Sequence, residues 1–364
     1  MLSLSPSILS IPAVPNRPLL SLNEQEIFGK LLLRKNSVLN FVENSAFEST
    51  IGMYDENYQN SQAFSPQFQY HMRCVLELLK KNISCGATVV EVGCGKGDFF
   101  SLLEENQLFK VIGFDATYEG DNPNIFKRYL LGSDRIKADL IVLRHVLEHI
   151  PKPHDFLRLL KIIFGTVKIY IEVPNYDWIL KNQAFFDITY EHVNYFSQDA
   201  LSKMFSNKLI SSGLLFDDQY QYIIAQISDF SDDFSNEYED GAWAFIDFYK
   251  LFPSLVDQIN TIDSMLSEKR RGYIWGASTK GCMFLAHCAA MNRLLNKIDF
   301  AIDINPHKVG KFLPGSRISI KDKADFYCEA SDKDLLIVSN PNYLSEIVSQ
   351  IKLSHLKNIE VISL

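Results

Sequence analysis

At 364 residues the chain exceeds what one hydrophobic core comfortably organises, which predicts two domains and an accessory segment. A hydrophobic fraction of 47% against 22% charged residues, with no repeat period, excludes disorder and solenoid architectures. The net charge of -8, from 36 Lys+Arg and 44 Asp+Glu with no basic stripe, argues against a nucleic acid partner.

The stretch Met1 to Leu20 carries Pro6, Pro12, Pro15 and Pro18 and no basic start, which argues against a secretory signal. No apolar run reaches membrane-spanning length, so no membrane partner is expected. The cysteines Cys74, Cys85, Cys94, Cys282, Cys288 and Cys328 are widely spaced, without a C-x-x-C pair. The expectation is a reduced, cytoplasmic, metal-free protein.

Residues 1–69 are polar and aromatic with weak periodicity and read as an accessory lid. From Tyr70 the pattern turns helical through Val75, Leu76, Leu78 and Leu79. Apolar runs at Thr88 to Val92, Lys110 to Phe114, Asp139 to Leu143 and Val167 to Val173 alternate with helical stretches, the signature of a parallel doubly wound sheet. Two extended segments, Leu214 to Gln219 and Gln221 to Ile227, are expected to pair as an edge hairpin, ending this domain near residue 228. Residues 229–271 read as a helical linker. Strands at Gly272 to Trp275, Ile298 to Ile304, Leu335 to Val338 and Ile359 to Ile362, with helices from about Lys280 and Tyr343, form a second, smaller α/β unit over 272–364.

The first strand runs into Glu91-Val-Gly93-Cys-Gly95-Lys-Gly97 and then a helix near Asp98. Glycines there let a ligand approach the backbone, and the helix start offers free N–H groups to a carboxylate. The G-x-G-x-G spacing differs from the G-x-G-x-x-G of dinucleotide sites and favours a nucleoside without phosphates. Asp115 ends the next strand, where a carboxylate can accept both ribose hydroxyls.

These residues, with Ala138-Asp-Leu-Ile-Val-Leu-Arg-His-Val-Leu-Glu-His-Ile-Pro151, resemble class I S-adenosylmethionine-dependent methyltransferases. The resemblance implies an α/β fold, a class I methyltransferase Rossmann-like doubly wound sheet plus a second smaller C-terminal α/β Rossmann-like domain. It implies S-adenosylmethionine as cofactor, with Glu91 on the methionine amine, Asp115 on the ribose, and Gly93, Gly95 and Gly97 forming the cradle. Arg144 and His145 would line the pocket, and Asp139 is similar to the family's strand-start acid. His145 and His149 stand at i, i+4 around Glu148, but no acid follows His145 directly, so the zincin pattern is missing. His149 reads as a helix-face histidine packed on the sheet.

Phe185-Phe-Asp-Ile-Thr-Tyr-Glu-His-Val-Asn-Tyr-Phe196 is dense in groups that move protons. It resembles the Tyr-x-Glu-His element of sugar C-methyltransferases, which methylate nucleotide-linked 4-keto sugars. Carbon methylation requires a base and a stabilised enolate. His192 is the expected base, Glu191 its assistant and Tyr190 the oxyanion donor, although the family's tyrosine position is Thr189 here. In the C-terminal unit Lys280 and Lys311 are expected at a diphosphate. The family's cysteine-rich zinc module has no counterpart, since no cysteine precedes Cys74. In its place Tyr54-Asp-Glu-Asn-Tyr-Gln-Asn-Ser61 and the stretch from Ser65 to His71 resemble the family's aromatic lid, which makes Tyr58 and His71 cofactor-side candidates. Methylation of oxygen or nitrogen, and a non-catalytic scaffold, stand as alternatives. The oligomeric state is left open.

Overall fold

The computed structural model describes residues 8–51, 57–59, 64–266 and 270–364; the lid positions Tyr54 to Glu56, Asn60 and Ser61 lie outside them. A seven-stranded sheet forms the larger layer, in the order Leu209–Leu215, Tyr220–Gln226, Lys168–Pro174, Leu140–Arg144, Thr88–Val92, Lys110–Phe114 and Ile125–Phe126. All pairings are parallel except those made by the Tyr220–Gln226 strand, which runs antiparallel to both neighbours. The central strands are almost continuously buried and rich in Val and Ile, as expected of a parallel sheet covered on both faces. Alternation sends Val89, Leu140 and Val142 to one face, under the helices Pro66–Asn82 and Asp98–Glu105. Val90, Ile141 and Leu143 face the other, against Pro153–Phe164 and Gln198–Met204.

Strand Thr88–Val92 lies between a neighbour that follows it immediately and one reached by a longer crossover. The chain therefore diverges to opposite sides at its carboxyl end, which opens the crevice where such sheets bind ligands. The helix Pro66–Asn82 helps to wall that crevice. It starts cleanly because the Ser65 hydroxyl accepts from the Phe68 N–H at 3.4 Å and Pro66 has no donor to satisfy.

A second sheet is wholly parallel, in the order Ile320–Lys321, Ile298–Ile302, Gly272–Trp275, Leu335–Val338 and Glu360–Ser363. Its helix Thr279–Ala290 is buried continuously from Gly281 to Cys288. An all-round apolar helix needs partners on every side. One side is taken by Phe185 of the larger unit, whose ring lies 6.2 Å from Phe284 and 5.3 Å from His287.

The N-terminal segment, expected as a lid of weak periodicity, holds four short strands among its described residues. Leu9–Pro12 pairs with Phe28–Leu31, and a second small sheet runs Asn194–Phe196, Phe41–Asn44, Leu33–Asn36, Trp243–Phe245. The helical stretch expected up to Arg271 is divided into Asp232–Asp240, Phe248–Leu251 and Leu255–Met265. Extended backbone at Gly241 ends the first piece, and Pro253 breaks the pattern between the others. The edge hairpin also turns earlier than its apolar pattern implies. Phe216, Asp217 and Asp218 all adopt positive φ, so the strands are Leu209–Leu215 and Tyr220–Gln226. Among the described residues no helix is long and apolar enough to cross a membrane.

Candidate active site

Glu91 is the last residue but one of strand Thr88–Val92 and is 3% exposed. Its Oε2 is buried with no hydrogen-bond partner. Burial pushes its carboxyl up to about 8, against the opposing pull of the Arg144 guanidinium. Beyond it Gly93 takes φ +78°, and a Cβ there would sit 2.5 Å from Val146 Cγ2. Gly95 takes φ +57°, but a Cβ would meet nothing within 4 Å, because this part of the loop faces open space. Gly97 caps the helix Asp98–Glu105 in the left-handed conformation, and Asp98 is its first helical residue. Asp115 braces the loop, with Oδ2 accepting from the Gly95 N–H at 2.8 Å and Oδ1 accepting from the Thr117 N–H and hydroxyl, each at 2.7 Å. Oδ2 keeps acceptor capacity toward a ligand, while both lone pairs of Oδ1 are taken.

A cavity of about 250 Å³ opens on this loop. Its walls come from every part of the chain: Glu91, Gly93 and Gly95 from the loop, Arg144, His145, Glu148 and His149 from the end of the Leu140–Arg144 strand, and Glu191 and His192 from the segment after Pro174. Tyr58 reaches it from the N-terminal segment, and Ser278, Thr279 and Lys280 from the smaller unit.

Beneath the cavity lies a buried ionic network that the sequence reading did not anticipate. Glu172 accepts from Tyr170 Oη at 2.5 Å, from Arg144 Nε at 3.2 Å and Nη2 at 3.3 Å, and lies 2.8 Å from His71 Nε2. Burial acts to raise its carboxyl, but Arg144 and the histidines outweigh this and hold it well below the usual range. A carboxylate inside the mostly apolar run Ile169–Val173 was the available signal. The Arg144 guanidinium also stacks 4.4 Å over Phe99. His71 thus stands behind the wall, while Arg144 and His145 form it. His145 adopts φ +53°, an uncommon conformation for a residue with a side chain. Burial acts to lower it, yet Glu148 and Glu172 at 3.4 and 3.1 Å push it up to about 9.

On the opposite wall Glu191 is 6% exposed. Its Oε2 accepts from Tyr58 Oη at 3.4 Å, and its Oε1 is buried without a partner. Burial pushes this carboxyl up to about 8. His192 is pushed down to about 3, chiefly by burial and then by His149. His149 lines the cavity rather than serving only as packing, and donates Nδ1–H to the Glu191 carbonyl at 2.9 Å.

Three expected residues lie elsewhere. Tyr190 is turned into the core beside the N-terminal segment; its hydroxyl accepts from the Glu48 N–H at 2.8 Å and donates to the Glu48 carbonyl at 3.2 Å, while its ring packs on Phe47. The chain bends at these two residues, and Tyr190 points away while Glu191 points in. Asp139 accepts from the Thr88 N–H at 2.8 Å, at the amino ends of the strands, the edge opposite the glycine loop. Lys311 is held by backbone pairing with Ile320 and does not line the cavity. The buried lysine in this region is Lys308, donating to the Ala277 carbonyl at 3.0 Å and to Asn16 Oδ1 at 3.3 Å. Lys280 does face the cavity, paired with Asp187 and 5.5 Å over the Trp178 ring.

Residues 64–208 match the family model described as methyltransferase domain, and residues 240–362 match the one described as C-methyltransferase C-terminal domain. The chain is 27% identical over 242 residues to the C-methyltransferase NovU of Streptomyces niveus, covering 59% of this chain and 54% of that protein. It thus spans about half the length of the curated relative it matches. A solved SAM-dependent methyltransferase from Aquifex aeolicus is 17% identical, with 45% of this chain and 94% of that one covered and a TM-score of 0.35. Magnesium protoporphyrin IX methyltransferase from Synechocystis PCC 6803 with bound SAM is 14% identical, with coverages of 44% and 79% and a TM-score of 0.33.

Proposed function

We propose that the chain joins a class I S-adenosylmethionine-dependent methyltransferase domain to a C-methyltransferase C-terminal domain, and that it methylates a carbon atom of a nucleotide-linked keto-deoxysugar. The observation that carries this reading is the single cavity shared by Glu91 and the glycine loop on one wall and Glu191, His192 and Lys280 on the others.

The residues present fit the cofactor. The unpartnered, buried oxygen of Glu91 suits the methionine ammonium, because a cation there would compensate a charge that burial otherwise disfavours. Gly95 leaves room for close approach, the start of helix Asp98–Glu105 suits the carboxylate, and Oδ2 of Asp115 suits a ribose hydroxyl. When bound, S-adenosylmethionine supplies an electrophilic methyl group on a sulfonium.

Carbon becomes nucleophilic only when a proton beside a carbonyl is removed. We assign that step to Glu191 rather than to His192, the residue expected from the sequence. A general base works best when its pKa is close to the working pH, and Glu191, raised to about 8 with an unpartnered oxygen, meets this condition. His192, lowered to about 3, is neutral and weakly basic. On the acceptor side, Thr279–Ala290 begins without a side-chain cap at Ser278, which leaves N–H groups suited to a phosphate, and Lys280 adds charge beside them.

Exchange of solvent deuterium into a keto-sugar nucleotide, followed by mass spectrometry without the methyl donor, tests the reading. The wild type is expected to exchange, and Glu191→Gln to lose exchange and about 10²–10⁴ in turnover. Exchange intact in Glu191→Gln but lost in His192→Gln reverses the base assignment. Turnover without any exchange points to oxygen or nitrogen as the acceptor atom.

A further inference from the structure

An ion pair on the cavity wall joins the two units: both carboxylate oxygens of Asp187, from the larger unit, accept from the Lys280 ammonium of the smaller one. The side chains are only 14% and 16% exposed, so water screens them weakly. Two of the three ammonium donors are thereby used. The ring centroids of Trp178 and Phe186 lie 5.5 and 5.8 Å from the same nitrogen and close off further sides of it. Lys280 is also the second residue of the helix Thr279–Ala290, whose first turn holds no acidic residue and whose cap position, Ser278, makes no side-chain bond. A cation at that end of a helix is disfavoured unless an anion joins it, and the anion here is borrowed from the other unit. The two partners differ in freedom. Asp187 ends the short turn Phe185–Asp187, in which Phe185 and Phe186 are buried, and its N–H donates to the Ala184 carbonyl at 2.9 Å. Lys280 carries its charge on a flexible stem.

We propose that Asp187 occupies the anion seat at Lys280 until an acceptor arrives, and that the acceptor's diphosphate displaces it by drawing the lysine away. With Asp187 in place an incoming anion reaches one ammonium donor at most. A diphosphate spreads its charge over two groups and can engage the ammonium together with the free N–H groups of the helix start. Asp187, held by its buried neighbours, then stays beside the seat as a fixed negative charge. Like charges close together in a partly buried site repel strongly, so Asp187 lowers the affinity for any anion that binds there. The methylated product keeps the acceptor's diphosphate, and the same repulsion therefore favours its release. That the anion is an acceptor diphosphate rests on the sugar-nucleotide reading above; the competition between Asp187 and an anion for Lys280 does not.

The test is titration of the full chain with inorganic pyrophosphate at low ionic strength, read by calorimetry and by tryptophan fluorescence. Asp187→Asn keeps the shape and removes the charge, and should bind pyrophosphate at least about tenfold more tightly than wild type. A pair that merely orients Lys280 predicts equal or weaker binding instead. Adding Lys280→Gln to Asp187→Asn should abolish the gain. In wild type, pyrophosphate should change the fluorescence of Trp178 as the ammonium leaves its ring, a signal absent from Trp178→Phe. Melting curves check folding, and should Asp187→Asn not fold, the wild-type fluorescence decides alone. The proposal is overturned by Asp187→Asn binding no more tightly, by a gain that survives Lys280→Gln, or by fluorescence that pyrophosphate leaves unchanged. Tighter binding in Asp187→Asn without deuterium exchange into the keto-sugar nucleotide would leave the role of Asp187 standing and reject the acceptor reading. Exchange without tighter binding would reject the role of Asp187 alone.

Discussion

Replacing Glu91 by glutamine should stabilise the ligand-free protein and weaken its grip on S-adenosylmethionine at once. An ordinary glutamate ionises near 4.5, whereas burial moves Glu91 to about 8. Below pH 4.5 the carboxyl is protonated in both the folded and unfolded chain, and folding pays nothing for it. Between 4.5 and 8 the unfolded chain releases the proton and the folded one retains it, so stability falls as pH rises, by about 1.4 kcal/mol per unit. At pH 7 the penalty reaches about 3 kcal/mol, and it levels off above the folded value. Glutamine removes it while keeping the shape. The same substitution deletes a charge-assisted hydrogen bond to the ligand, worth about 1.5–3 kcal/mol, or roughly tenfold to a hundredfold in Kd. Because the ammonium binds the ionised carboxylate, affinity in the wild type should rise with pH up to about 8, with proton release. Urea unfolding and calorimetric titration between pH 5 and 8, on wild type and Glu91→Gln, read both effects. A variant no more stable than wild type at pH 7, with the same pH slope, would refute the reasoning about burial; unchanged affinity would refute the ammonium contact.

Two further outcomes follow from the geometry. Tyr190→Phe should lower stability by about 1–2 kcal/mol, through loss of the two bonds to Glu48, and leave deuterium exchange within about twofold of wild type; lost exchange with unchanged stability would return the tyrosine to the reaction. Gly93→Ala and Gly95→Ala should separate stability from binding. Both force alanine into positive φ, at about 1 kcal/mol, but only at Gly93 does the new methyl collide with Val146, so its melting temperature should fall further. At Gly95 the methyl enters the open space of the loop, and S-adenosylmethionine affinity should drop at least about tenfold in calorimetry. Equal affinity in Gly95→Ala and wild type would mean that the ligand does not approach there.

Features written in contiguous residues were the legible ones. The runs Thr88–Val92, Lys110–Phe114 and Gly272–Trp275 are strands end to end, because a buried parallel strand leaves a nearly continuous apolar signature. Asp115 and Gly95 were read as parts of one site, and they touch. What escaped depends on pairing across the chain. Phe28–Leu31 alternates exposed and buried residues over only four positions, too short to distinguish from a loop. Trp243–Phe245 is extended because it pairs with Leu33–Asn36, some two hundred positions earlier. Likewise Tyr190 and Glu191 are neighbours in sequence, and only the turn decides which faces the cavity. The ties of Glu172 to residues as distant as His71 are a property of the assembled interior.

The small sheet that links Asn194–Phe196 to Phe41–Asn44, Leu33–Asn36 and Trp243–Phe245 also limits how the chain can be cut and recombined. Glu191 and His192 stand just before its first strand, so their seating is set by pieces from both flanks of the methyltransferase domain. A fragment trimmed to residues 64–208 would keep the glycine loop but lose the clamp on these two side chains. Chimeras that exchange acceptor preference between relatives therefore have to transplant residues 33–44 and 243–245 along with the 185–196 segment, as one interlocked unit.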